Sequence, residues 1–410
     1  MLSANPFLVT TPWTRLGVVF ALLALAACGS TDSEPEPDPP AAEEGPIFAV
    51  STRIPGSVVS GFVGLVDSLD GGRTLDLAEA IEIPNGGIAV GPELGGTIFL
   101  VDGATPQLEK IEVLADGTLE RRGILSTQNL SLTSSGVAAG NVVFLSETKA
   151  FIIDTLAFLI IVWNPDTLEI TGTIDFRDAQ VPGTISVAGN TSVQRDDELV
   201  FAVSLIADST FEPDSALVFV DLENDTVNRV VEIPDCSAVS DVLLAGDGSL
   251  YAASDVASVF NRLSGRNDDT TECLVRIPPG TYDLEDYTLF SERTEGSLAG
   301  TMLQLSDTRA YARVLDQSLL PGTIIDIPDV NGASAWSWGI VDVSGETPFQ
   351  PITGLGTTAG STNPFVIEGA FWATESTDNL ESTNLINLGS ETPTRGLSSP
   401  GIILNAFRVR

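Results

Sequence analysis

The heptapeptide Leu145-Ser146-Glu147-Thr148-Lys149-Ala150-Phe151 returns later in the chain as Leu305-Ser306-Asp307-Thr308-Arg309-Ala310-Tyr311, matched in residue class at every position. A chain that repeats itself in this way is built from copies of one structural unit, and that limits the folds open to it. The unit can be read from Asn141 to Phe176. Apolar runs rich in Val, Ile and Phe are broken at Ser146-Glu147-Thr148, at Asp154-Thr155 and at Asn164-Pro165-Asp166-Thr167. β-Branched side chains fit a pleated surface, and Asn, Pro and Asp close turns, so the unit is a β-meander.

A second signature is an apolar strand, a turn carrying Asp or Asn, then Thr or Pro and another strand. It recurs from Phe99 to Glu112, Leu159 to Thr171, Leu217 to Val230, Gly339 to Pro351 and Leu385 to Thr394. Inner strands that are apolar on both faces must be covered on both faces. Repeats of roughly 50 residues, each a small sheet, supply that cover as the blades of a propeller. The expected fold is therefore all-β, a seven-bladed propeller cut at 47–85, 86–135, 136–183, 184–240, 241–289, 290–360 and 361–410. The final strand from Gly401 is placed beside the opening Ile47-Phe48-Ala49-Val50, and Gly354 to Asn363 reads as a flexible loop.

Residues 1–27 read as a lipoprotein signal peptide. Arg15 precedes an apolar run from Leu16 that ends in Leu25-Ala26-Ala27-Cys28. This has the form of a lipobox, with small residues before a cysteine that takes a diacylglyceryl group. The run is shorter than the ~20 residues a membrane-spanning helix needs. Residues 28–46, a lipidated Cys28 and an acidic, proline-rich stretch, form a tether of about 50 Å. Gly29 in place of aspartate favours the outer membrane. The propeller then occupies 47–410.

Lys and Arg number 19 against 56 Asp and Glu, a formal charge of −37. That excludes nucleic acid and anionic lipid surfaces as natural partners. Cys236 and Cys273, an even pair in an exported chain, are expected to form a disulfide closing a loop of about 37 residues, worth roughly 3 kcal/mol.

The chain has no histidine. Ser-His-Asp and Cys-His nucleophiles and histidine-ligated metals are thereby excluded. No phosphate-binding or dinucleotide fingerprint is present. Carboxylates are abundant, and Asn267-Asp268-Asp269 has the composition of a calcium loop or of a solvated turn. The expectation is a non-enzyme without a cofactor, and no catalytic or metal-ligating residue is assigned.

The sparse aromatic and cationic residues form the candidate ligand site: Trp336, Trp338, Tyr311, Arg309, Arg313 and Arg53, with Trp372 near the closure. Side chains two apart on a strand share a face, so Trp336 and Trp338 point the same way. Aromatic faces and guanidinium groups suit a planar anionic ligand. The alternative makes the tryptophans blade-packing core and the arginines neutralisers of nearby carboxylates.

The stretches Ile47 to Arg73 and Gly86 to Ile124, the Trp163-Asn164-Pro165-Asp166-Thr167 blade and the cysteine pair resemble the lipid-anchored propellers encoded with bacterial siderophore systems, of the myxochelin-locus and xenosiderophore-binding types. The resemblance implies capture of a ferric siderophore, catecholates matching the Trp and Arg set, with delivery to a TonB-dependent transporter of the outer membrane. Two other functions fit the same sequence: a protein-interaction scaffold on the outer membrane, and an exported hydrolase or lactonase using carboxylates and a metal.

Overall fold

The structure is a computed structural model that describes residues 45–410 except 56–59, 116, 131–140, 208–209, 266–271, 321, 325, 361, 378–379 and 390–391. Cys28, the signal peptide, residues 28–44 of the tether and Asn267-Asp268-Asp269 lie outside the described residues. Among the described residues no helix is long and apolar enough to cross a membrane.

The described strands form seven antiparallel sheets of four, a seven-bladed propeller. Six blades are consecutive in sequence: blade 2 is 88–126, blade 3 is 142–175, blade 4 is 185–233, blade 5 is 239–289, blade 6 is 299–351 and blade 7 is 365–400. Blade 1 is composite. Strands Phe48–Ile54, Ser60–Val66 and Ile81–Ile83 receive the last strand, Ile402–Arg408, at their inner edge. Val50 pairs with Ala406, and past the paired strands the Ile47 amide donates to the Arg410 carbonyl at 3.0 Å.

The cores show why a ring forms. Phe151, Ile160 and Val162 of blade 3 pack on Leu199, Phe201 and Val218 of blade 4, while Val200, Leu217 and Phe219, from the other face of blade 4, pack on Val242, Leu250 and Val275 of blade 5. The pattern continues through blades 5 and 6, 6 and 7, 7 and 1, 1 and 2, and 2 and 3. Every sheet thus buries both faces, each against a different neighbour. At about 1.5–3 kcal/mol for a fully buried aliphatic or Phe side chain, these shared cores dominate the stability. Between blades 2 and 3, Trp163 meets Phe99 edge-on with ring centroids 5.2 Å apart.

The repeated motifs have local causes. Both heptapeptides make the turn from first to second strand of their blades and end in a fully buried ring, Phe151 or Tyr311. In the second signature Asn164, Asp221, Asp342 and Asn387 end the third strands of blades 3, 4, 6 and 7. Each accepts a hydrogen bond from the backbone two residues on, such as Asn164 Oδ1 from the Asp166 amide at 2.8 Å. These side chains mimic a backbone turn. The copy in blade 2 sits one turn earlier: Asp102 follows the second strand and accepts from the Ala104 and Thr105 amides at 2.7 and 2.9 Å.

Cys236 and Cys273 form a buried disulfide with Cα atoms 5.5 Å apart. It ties the segment leaving blade 4 to the third strand of blade 5. Within the stretch Gly354 to Asn363, expected to be flexible, Thr358 and Asn363 are held in place: Trp336 and Thr358 exchange backbone hydrogen bonds at 3.1 and 2.8 Å, and the Asn363 amide side chain donates to the Ile403 carbonyl.

Replacing both cysteines with serine should lower unfolding stability by about 3 kcal/mol, read from urea denaturation. Acid provides a second check. Partial burial pushes the Asp102 carboxyl up, but hydrogen bonds from Ala104, Asn85 and Thr105 outweigh it and hold it at about 2. A depressed carboxylate stabilises the fold above its unfolded pKa, and this contribution fades as pH falls towards 2. Asp102→Asn should therefore flatten the pH dependence of stability between about pH 4 and 2.

Candidate functional site

Neighbouring inner strands belong to different sheets and cannot share a backbone ladder, yet they meet around the axis. Their backbone groups must still be satisfied. Side chains do part of this. Ser51 accepts from the Ala89 amide and Asn405 donates to the Ala89 carbonyl, joining blades 1 and 2. Thr191 accepts from the Val242 amide at 2.8 Å, joining blades 4 and 5. Asp241 accepts from the Met302 amide at 3.0 Å and Gln304 donates to the Leu244 carbonyl at 2.9 Å, joining blades 5 and 6.

The Asp241 contact depends on a bulge. The register of blade 6 shifts between Gly300 and Met302, and the intervening Thr301 is buried with φ of 60°. A β-branched residue is disfavoured there by of order 1–3 kcal/mol. The bulge coincides with the Met302 amide's bond to Asp241 and with the Met302 side chain's place in a pocket.

That pocket, of about 280 Å³, is formed mainly by the inner strands of four successive blades, with Phe371 from the second strand of blade 7. Thr191, Ser192 and Val193 come from blade 4, Val242 from blade 5, Met302, Leu303 and Gln304 from blade 6, and Phe365, Val366 and Phe371 from blade 7, with Pro364 at the entry to that blade. Val366 is half exposed between two buried neighbours, Phe365 and Ile367. The walls are aliphatic and aromatic, the polar groups are hydroxyls and one amide, and no lining side chain is ionised. Such a surface binds an apolar body through burial and orients it with few hydrogen bonds.

The six residues singled out in the sequence are distributed differently. Tyr311 and Arg313 share the second strand of blade 6, and Trp336 and Trp338 share the third, with Arg313 opposite Trp338. All four are fully buried. Trp336 and Trp338 lie on one side of their strand, as period two requires, but enter different cores. Trp336 donates to the Val330 carbonyl at 2.9 Å under a cap that includes the helix Ala257–Ser264. Trp338 and Tyr311 pack between blades 6 and 7. Arg309 stands at the other end of its strand beside Gln350. Arg53 lies in blade 1, donating to the Gly86 carbonyl at 2.7 Å, its pKa lowered by burial.

Arg313 joins two blades. Its guanidinium lies 4.5 Å from the Trp338 ring centroid. It donates to the carbonyls of Ala359, of Gly360 at 2.8 Å and of Thr374 at 2.6 Å. Burial pulls its pKa down to about 9, against the raising influence of the Glu375 and Asp255 carboxylates. Of the six residues, Trp338 and Tyr311 back the axial pocket, since they share a core with Leu303 and Phe371, which line it.

The pocket residues carry no motif. They could have been found only by combining the blade cuts with the rule that the first strand of each repeat lines the axis. Among the described residues no three Cys, Asp or Glu side chains converge as a metal site would require.

No family model matches the chain, and no curated protein matches it. Solved structures with a similar trace include the hydrazine synthase of Kuenenia stuttgartiensis, at 8% identity and a TM-score of 0.46 over 73% of this chain and 76% of that one. The dihydro-heme d1 dehydrogenase NirN matches at 12% identity and 0.45, over 76% and 55%. Apo AztD from Citrobacter koseri matches at 13% and 0.41, over 88% and 98%. Likeness at this level carries no argument about chemistry.

Arg313→Met should cost at least about 3 kcal/mol, because it leaves three buried carbonyls without their charged donor. Denaturant unfolding of the variant checks this.

Proposed function

We propose that the chain is an exported, lipid-anchored propeller that binds a small molecule without transforming it, and that the axial pocket is the binding site. The observation that carries this reading is the pocket's lining, apolar and aromatic with uncharged polar groups, set where four blades converge. The lipobox-like signal, Cys28 and the acidic tether read from the sequence support a position on the cell envelope, and Gly29 supports the outer membrane.

The ligand proposed is a ferric siderophore, as the sequence resemblance implies, passed on to a TonB-dependent transporter. The pocket chemistry narrows its class. A catecholate complex is strongly anionic and needs cationic partners, but Arg313 is committed to backbone carbonyls and the axial pocket has no cation. The lining fits an uncharged ferric chelate of hydroxamate type. At about 280 Å³ the pocket receives one apolar arm or face of such a complex rather than enclosing it.

The ring closes on its own strands and holds every described core, so residues 45–410 are a self-contained unit for binding work. Trp372, paired with Phe365 at the pocket wall, serves as the reporter. Titration with ferric hydroxamates, ferric catecholates and their iron-free forms, corrected for absorption, should give saturable quenching by a ferric hydroxamate. Val366→Asp, which introduces a charge at an exposed pocket position, should weaken that binding at least about tenfold. No binding across the panel would overturn the siderophore reading; binding by catecholates alone would overturn the assignment of ligand class.

A further inference from the structure

We propose a second ligand site in the cleft between blades 5 and 6, which binds the carboxylate of a small amino-acid-like zwitterion on Arg293. The cleft, of about 320 Å³, includes Arg276 and Tyr251 of blade 5, Arg293 of the linking turn, and Thr308 and Ser344 of blade 6. It shares no lining residue with the axial pocket.

Arg293 is the decisive residue. It sits on the short turn Phe290–Thr294 that leads from blade 5 to blade 6. In a chain with 56 acidic residues its side chain makes no hydrogen bond or ion pair to any described residue, and its Nε is shut away from solvent. Its guanidinium lies against Gly345, whose φ of 77° makes the adjoining turn and whose missing Cβ leaves the room that a terminal nitrogen of Arg293 occupies. A planar fork of donors held in this way matches the two oxygens of a carboxylate.

The surroundings set the ligand class. Arg276, about a quarter exposed, donates to Ser249 Oγ at 2.9 Å and lies 3.6 Å from both Asp247 and Glu285. It lines the same cleft as Arg293, with its own charge met by these two carboxylates. Ser344 already donates to Asp342, so its hydroxyl can only accept, while Thr308 has a hydroxyl to donate. The carboxylates of Asp247 and Glu346 stand at the exposed rim of the same cleft. The lining thus offers guanidinium and carboxylate groups within one cleft, which suits a molecule that carries both an acid and an ammonium. Such a molecule carries no net charge, so the overall −37 does not repel it as it would a simple anion.

The test uses residues 45–410 and calorimetric titration with glycine, γ-aminobutyrate, acetate and inorganic phosphate at constant ionic strength. One of the two zwitterions should bind at one site per chain, at least about tenfold more tightly than acetate or phosphate, and Arg293→Met should abolish it while the Val366→Asp variant of the axial pocket retains it. Arginine modification by phenylglyoxal, mapped by mass spectrometry on the unmutated protein, locates the site without reliance on a variant's folding. The bound zwitterion should slow modification of Arg293 several-fold. Absence of saturable binding, a preference for acetate or phosphate, or binding that leaves Arg293 reactive would each overturn the proposal.

Discussion

The pairing of Phe48–Ile54 with Ile402–Arg408 holds the ring shut. Each blade is a sheet with two apolar faces, and a sheet left with one such face in water would lose the burial that stabilises it. An open row of seven blades would have two bare faces. Closing the row removes both at once, because the cores between blades 7 and 1 and between blades 1 and 2 form only when the last strand takes the inner edge of blade 1. The stability of every blade is in this sense conditional on a contact between residues far apart in sequence.

Local turns were legible, and so were the strand pairing that closes the ring and the disulfide, whereas the side on which a buried side chain meets its neighbours was not. The turn at Asn164 and its counterparts at Asp221, Asp342 and Asn387 can be read because a side chain bonding two residues along needs no tertiary partner. The same signature at Asp102 marks a different turn, since an Asx turn is available after any strand. Trp336, Trp338 and Arg313 show the opposite case. Their spacing correctly put the two indoles on one side of a strand, but whether that side meets solvent or the next blade is decided by blade packing. The sequence reads Arg313 as a ligand contact or a neutraliser of nearby carboxylates; the structure buries it, with three carbonyls and an indole face compensating the loss of water.

The axial pocket and the inter-blade staples come from one constraint. Inner strands approach each other without a shared ladder, so Thr191, Asp241 and Gln304 satisfy backbone groups across blade boundaries. Where side chains span that gap the axis is filled, and where they stop short a cavity remains. Thr191 and Gln304 both staple blades and line the pocket, so the position of the cavity is coupled to the register between blades.

The seam in blade 1 also has a mechanical character. Tension arriving at Ile47 from the preceding chain is directed along strand Phe48–Ile54, which has a partner on each side. Ladder hydrogen bonds lie perpendicular to their strands, so this pull loads both ladders in shear, with all their bonds sharing the force together. A hairpin at the rim would peel one bond at a time. The ring thus meets force from its amino-terminal side at a joint loaded in shear on both flanks.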